Sequence, residues 1–131
     1  ILPIDAMIEK NNEVIDIKKI KSNEKIFDIG KATLKLIADR LNKSKTVIWS
    51  GPLGVFEKKP YDKGTNEIAK LINAKGNKII SIAGGGDTIA AIKKNKKFKN
   101  FSFLSTGGGA FLKWLENFNL PEIERLKKIN Q

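Results

Sequence analysis

The run Ile79-Ile80-Ser81-Ile82-Ala83 goes straight into Gly84-Gly85-Gly86, and no other stretch limits the fold as tightly. A short, continuous, β-branched apolar run suits a strand buried on both faces of a parallel sheet. The three glycines permit positive φ and carry no Cβ, so a ligand can come close to the backbone. Asp87 or Thr88 can cap the helical pattern that follows, and the free N–H groups at such a helix start attract anions. Strand, glycine loop and helix start together make either a phosphate site or a plain strand-to-helix turn.

The motif repeats. Phe101–Ser105 is a second short apolar run, and Thr106-Gly107-Gly108-Gly109-Ala110 follows it. Phe111, Leu112, Leu115 and Phe118 then trace one helical face. A third run, Thr46–Trp49, reads as a buried strand and leads into Ser50-Gly51-Pro52-Leu53-Gly54. In a parallel α/β sheet all such loops lie at the carboxyl edge, where ligands bind. Coincident loops are much harder to explain as turns than a single one. The expected fold class is therefore α/β: a three-layer α/β/α, Rossmann-like, mostly parallel sheet with helices on both faces, present as a partial domain.

The remaining segments fit the same plan. Ile1–Ile4 reads as a strand remnant, Asn11-Asn12 as a turn, and Val14–Ile20 as a half-exposed strand or hairpin arm. Lys25–Gly30 is a short strand ending in glycine. Leu34, Ile37, Ala38 and Leu41 recur at helical spacing in Lys31–Leu41. Ser50–Pro60 is long for a βα connection, and long loops on such scaffolds are often functional. Leu53, Val55 and Phe56 within it are either tucked onto the core or form an apolar slot for a flat ring. Glu57 can hydrogen-bond a sugar hydroxyl. A helix is expected from Tyr61 to Ala74, another over Thr88–Lys94 with Ile89 and Ile92 inward, and a tail helix over Leu120–Gln131.

Composition removes several chemistries. The 131 residues contain no cysteine and no histidine, which excludes disulfides, thiolate metal sites and histidine-based triads. No window is long and apolar enough for a membrane span. The net charge of +11 suggests a polyanion as partner, or a lysine-rich composition spread over solvated faces. The basic residues are mostly scattered lysines without interleaved arginine, which favours the second. Neither the spaced glycine fingerprint of dinucleotide folds nor a complete P-loop is present. The chain opens on Ile1-Leu2-Pro3-Ile4 rather than methionine, so a fragment is expected.

Three motifs carry a resemblance. Trp49–Glu57 (WSGPLGVFE), Gly84–Thr88 (GGGDT) and Ser105–Ala110 (STGGGA), in this order and spacing, resemble phosphoglycerate kinases. Leu2-Pro3-Ile4-Asp5, Phe27-Asp28-Ile29-Gly30 and Leu120-Pro121 agree. The resemblance covers essentially all of residues 1–131 and corresponds to the later part of the family's C-terminal, nucleotide-binding domain. By this resemblance the family's N-terminal substrate domain and the first part of its nucleotide domain are expected to lie outside residues 1–131.

The resemblance alone implies an activity and a set of residue roles. The parent would be a glycolytic, cytoplasmic, monomeric kinase moving a phosphoryl group between 1,3-bisphosphoglycerate and ADP, giving 3-phosphoglycerate and ATP, with Mg2+. Phe27, Pro52, Leu53 and Val55 would line the adenine pocket, and Glu57 would bind the ribose. Ser50, Gly51, Gly84, Gly85, Gly86, Asp87 and Thr88 would hold the nucleotide, with Asp87 reaching the metal. Gly86, Gly107, Gly108 and Gly109 would form the catalytic backbone, presenting N–H groups to the transferring phosphoryl. Ser50 stands where the family usually has asparagine, Lys31 where proline is common, and Asn117 and Glu122 where glycine is frequent. The chain alone is expected to be inactive, because a whole substrate domain is missing. The competing readings are a basic, non-catalytic nucleic-acid-binding module and a nucleotide domain of another kinase or sensor.

Overall fold

The computed structural model describes residues 1–94, 99–117 and 125. Its first part is a small antiparallel sheet. β1 (Asp5–Ile8) lies between β2 (Val14–Asp16) and β3 (Ile26–Ile29). Ala6, Met7 and Ile8 are all buried. Asn11 and Asn12 adopt φ of 57° and 54°, the left-handed turn that asparagine tolerates. The strand begins at Asp5 rather than within Ile1–Ile4. The alternation over Val14–Ile20 overstates β2: Asp16 accepts the Lys18 N–H at 2.8 Å and turns the chain into a 3-10 turn at Ile17–Lys19.

α1 (Lys31–Lys43) follows Gly30, which has no side chain to cap it. The cap comes from β1. Asp5 accepts the N–H groups of Ala32 and Thr33 at 2.9 and 2.7 Å and the Thr33 hydroxyl at 2.6 Å. These N–H groups are among those a helix start leaves unpaired.

The second sheet is parallel. β4 (Thr46–Ser50), β5 (Ile80–Gly84) and β6 (Phe103–Ser105) lie in that order, with α2 (Lys63–Lys75) crossing from β4 to β5 and α3 (Gly86–Lys94) leaving β5. α4 (Gly108–Asn117) leaves β6. The class is α/β, as expected. Trp49 and Ala83 on one sheet face form a core with Leu41 of α1, Ile68 and Ile72 of α2, and Ile89 and Ile92 of α3. Burying a side chain such as Ile72 or Ile92 contributes about 1.5–3 kcal/mol.

The opposite face is covered mainly at one end, where Phe111 of α4 lies against Gly84. Elsewhere on it Ile48, Ile80 and Phe103 are 50, 56 and 57 % exposed. This corrects two expectations: neither Thr46–Trp49 nor Ile79–Ala83 is buried throughout. The strands alternate in burial because α1, α2 and α3 all contribute to the core on the Trp49 and Ala83 side. Leu112, expected on one helical face with Phe111 and Leu115, is exposed. The tail helix expected over 120–131 and Phe118, expected on the same face as Leu112, fall outside the described residues, Arg125 apart.

Candidate functional site

The parallel register fixes where the glycine loops emerge. Ser50 pairs with Gly84, and Gly84 pairs with Ser105, so all three strands end at the same level. The loops then touch. The Gly85 N–H donates to the Ser105 carbonyl at 3.0 Å. A Cβ on Gly108 would lie 2.6 Å from the Gly85 Cα, so the two glycine loops meet backbone to backbone. α3 starts at Gly86 and α4 at Gly108, which brings two helix starts to one edge. Their first N–H groups are a natural seat for phosphate oxygens.

Asp87 lies exposed in the first turn of α3 and Thr88 is buried beside it. Neither side chain is the cap that the pattern suggested, since the helix already includes Gly86. Thr88 is 1 % exposed, and its hydroxyl accepts the Gly51 N–H at 2.8 Å. That bond ties the loop after β4 to the loop after β5.

The loop after β4 is held at regular intervals. The Gly51 N–H goes to Thr88, the Leu53 N–H to the Thr65 hydroxyl at 2.7 Å, and the Val55 N–H to the Phe27 carbonyl at 2.8 Å. Thr65 also donates its own hydroxyl to the Leu53 carbonyl at 2.5 Å. The loop therefore bridges α3, α2 and β3. Pro52, Leu53 and Val55 are half-buried along it, while Phe56 is buried and Glu57 is exposed. Phe27 meets Tyr61 edge-on, with ring centroids 4.8 Å apart, and the Lys58 ammonium lies 5.9 and 5.7 Å from the two ring centres. Ser50 is exposed at the end of β4.

Asp28 underlies this arrangement. It is buried and accepts the N–H groups of Gly64 and Ile29, each at 2.8 Å. A Cβ on Gly54 would fall 2.5 Å from its Oδ1, so the loop can approach only as glycine. Burial pushes the Asp28 carboxyl above the usual range and the nearby Asp62 adds to this, against the opposing pull of the backbone N–H groups. Asp5 is the reverse case. Burial alone would raise it, but the Thr33 hydroxyl and the α1 N–H groups outweigh burial and leave it below the ordinary aspartate value.

The sequence-predicted residues after β4, β5 and β6 are thus brought to one sheet edge, and Phe27 joins them through Val55. Thr65 and the structural role of Asp28 were not foreseen. A threonine in a helix's first turn looks like a local cap, and nothing in the spacing announces a partner on the preceding loop.

A parallel sheet with helices on its flanks and glycine loops gathered at its carboxyl edge defines an open α/β protein of the Rossmann-like kind. The phosphoglycerate kinase family model matches residues 1–117, and the chain belongs to that family. A phosphoglycerate kinase from Orientia tsutsugamushi (strain Boryong) is 45% identical over 135 residues, covering 96% of this chain and 34% of that protein. The solved phosphoglycerate kinase of Coxiella burnetii superposes with a TM-score of 0.84 at 36% identity, covering 98% of this chain and 34% of that one. The enzyme of Pyrococcus horikoshii OT3 superposes at 0.79 with 32% identity, over 95% and 32% of the two chains. The chain spans about a third of the length of the relatives it matches.

Proposed function

We propose that these residues form much of the nucleotide half of a glycolytic, cytoplasmic phosphoglycerate kinase that acts as a monomer. The reaction moves the acyl phosphoryl group of 1,3-bisphosphoglycerate to ADP. The bond from phosphorus to the carboxyl oxygen breaks, a bond to the terminal ADP oxygen forms, and 3-phosphoglycerate leaves as a carboxylate. One observation carries the reading: three in-register strands deliver three glycine-bearing loops to one sheet edge, where two helix starts meet. Phosphoryl transfer asks mainly for positioning and charge neutralisation.

In this reading Phe27, Pro52, Leu53 and Val55 enclose the base, and Glu57 accepts from the ribose hydroxyls. The N–H groups of Gly86, Asp87 and Thr88 hold phosphate oxygens, and Gly85, whose own N–H goes to the Ser105 carbonyl, lets the phosphate approach the backbone. Ser50, Gly51 and Gly84 shape the floor. The side chain of Thr88 acts indirectly, by holding Gly51. Gly86 and Gly107–Gly109 present preorganised donors to the phosphoryl group in transit. The donor set suits magnesium. Asp87 is an exposed carboxylate in the first turn of α3, next to N–H groups that attract phosphate oxygens. Magnesium fits such a site, held by one or two carboxylates together with substrate phosphates. Bound there, it would neutralise phosphate charge.

In this reading the bisphosphoglycerate contacts lie outside the third of the relatives' length that this chain spans, and residues 1–131 alone are inactive. Among the described residues no helix is long and apolar enough to cross a membrane. An amide NMR titration with Mg-ADP tests the reading. Shifts clustered at Phe27, Pro52–Glu57 and Gly84–Thr88 support it. A dispersed spectrum that ADP leaves unmoved counts against it.

A further inference from the structure

We propose that Thr65 is a positioning residue for the base end of the nucleotide site: through both backbone groups of Leu53 it sets the Pro52–Val55 wall. The inference rests on the nucleotide reading and deepens it.

The wall, Pro52–Val55, belongs to no strand or helix. A loop segment of this kind keeps its shape only if its backbone groups find fixed partners. Three alternate N–H groups do so, and their partners sit on three different elements. Leu53 is the middle one and is held twice. The Thr65 hydroxyl accepts its N–H at 2.7 Å and donates to its carbonyl at 2.5 Å. Thr65 is 2 % exposed, so water cannot readily replace it. It is also rigidly mounted, in the first turn of α2, where the residue before it, Gly64, donates its N–H to the buried Asp28. A β-branched side chain in a helix has few rotamers, and its hydroxyl is consequently well placed. Thr65 itself touches no ligand. It fixes the backbone of Leu53, whose side chain packs against the core, while Thr88 fixes the phosphate end of the same loop.

The two ends can be separated by experiment. Thr65→Val keeps the shape and removes both hydrogen bonds; Thr65→Ser keeps the hydroxyl. Mg-ADP reports on the whole nucleotide site and inorganic pyrophosphate on its phosphate end alone. Thr65→Val is expected to weaken ADP about tenfold, within the net worth of the two hydrogen bonds removed, and to leave pyrophosphate within about twofold. Thr65→Ser is expected to bind ADP as the wild type does. In amide exchange, Thr65→Val should accelerate Leu53 while leaving Ile68, Ala69 and Ile72 of the same helix protected.

Equal losses of ADP and pyrophosphate would make Thr65 merely structural and overturn the proposal, as would a serine variant no better than valine. Wild-type ADP binding that Thr65→Val leaves unchanged overturns the proposal alone. A wild type that binds neither ligand, with the exchange effect intact, overturns the nucleotide reading and with it the ligand half of the proposal. Should the valine variant fail to fold, the wild type still decides: a Leu53 amide exchanging as fast as an open loop overturns the clamp.

Discussion

Gly108 and Gly85 stand so close that a single methyl group on Gly108 would fall 2.6 Å from the Gly85 Cα and 3.0 Å from its nitrogen. Neither neighbour is a side chain that can swing away. Gly108→Ala should force the two glycine loops apart and cost about 1–3 kcal/mol of stability, as overpacking does. Urea unfolding would give the loss. Phosphate binding should fall further than stability, because the two helix starts separate.

Asp87→Asn should behave in the opposite manner. The residue is exposed, so the unfolding free energy should move by no more than about 0.5 kcal/mol. Under the proposed function, the dependence of ADP binding on magnesium should largely vanish. Calorimetry of ADP binding with and without the metal checks both halves.

Asp5 makes stability depend on pH in a stated direction. Its folded-state pKa lies below the unfolded value, so its contribution is present above the ordinary aspartate range. That contribution is lost as pH falls through the lowered folded value. Asp5→Asn should be less stable than the wild type at neutral pH by about 1 kcal/mol. The two curves should converge on acidification. Asp28 contributes with the opposite sign: its raised pKa favours the fold at low pH and loses that contribution as pH rises through the folded value. A gap between wild type and Asp5→Asn that widens on acidification would contradict the capping role of Asp5.

Two isoleucines should separate the faces of the parallel sheet and its helices. Ile72, fully buried in the core, should cost about 2–5 kcal/mol as alanine. Ile80, on the bare face, should cost far less as threonine, about 0.5 kcal/mol or under. Comparable losses at both positions would mean that the bare face is packed in solution.

Much of the fold was legible in the sequence, and the exceptions share a cause. Ile79–Ala83 with its glycines, the helical stripe of Leu34, Ile37 and Leu41, and the three motifs placed the parallel sheet, its helices and the edge where the loops meet. These signals are local, carried by neighbours within a few residues. The contacts that escaped lie between distant residues. Nothing near Gly30 says that α1 takes its cap from Asp5, and nothing near Thr65 says that it holds Leu53. Thr88 looked like a ligand group or a cap because its own neighbourhood is a helix start, yet its hydroxyl is spent on Gly51. The even exposure of Ile48, Ile80 and Phe103 was hidden for a different reason. Apolar composition records what a strand can be buried against, not whether the covering layer lies on these residues.

The loop from Gly51 to Val55 has a consequence for how the chain comes apart. The antiparallel and parallel sheets share no strand. Leu41 of α1 packs into the core of the parallel sheet, and the buried Asp28 of β3 accepts the Gly64 N–H of α2, so the two are already joined. One short peptide is also fastened to α3, α2 and β3 in turn, so opening either sheet strains fastenings of the other. Unfolding should therefore be a single cooperative event, with Gly51, Leu53 and Val55 losing amide protection in the same step as the strands on either side.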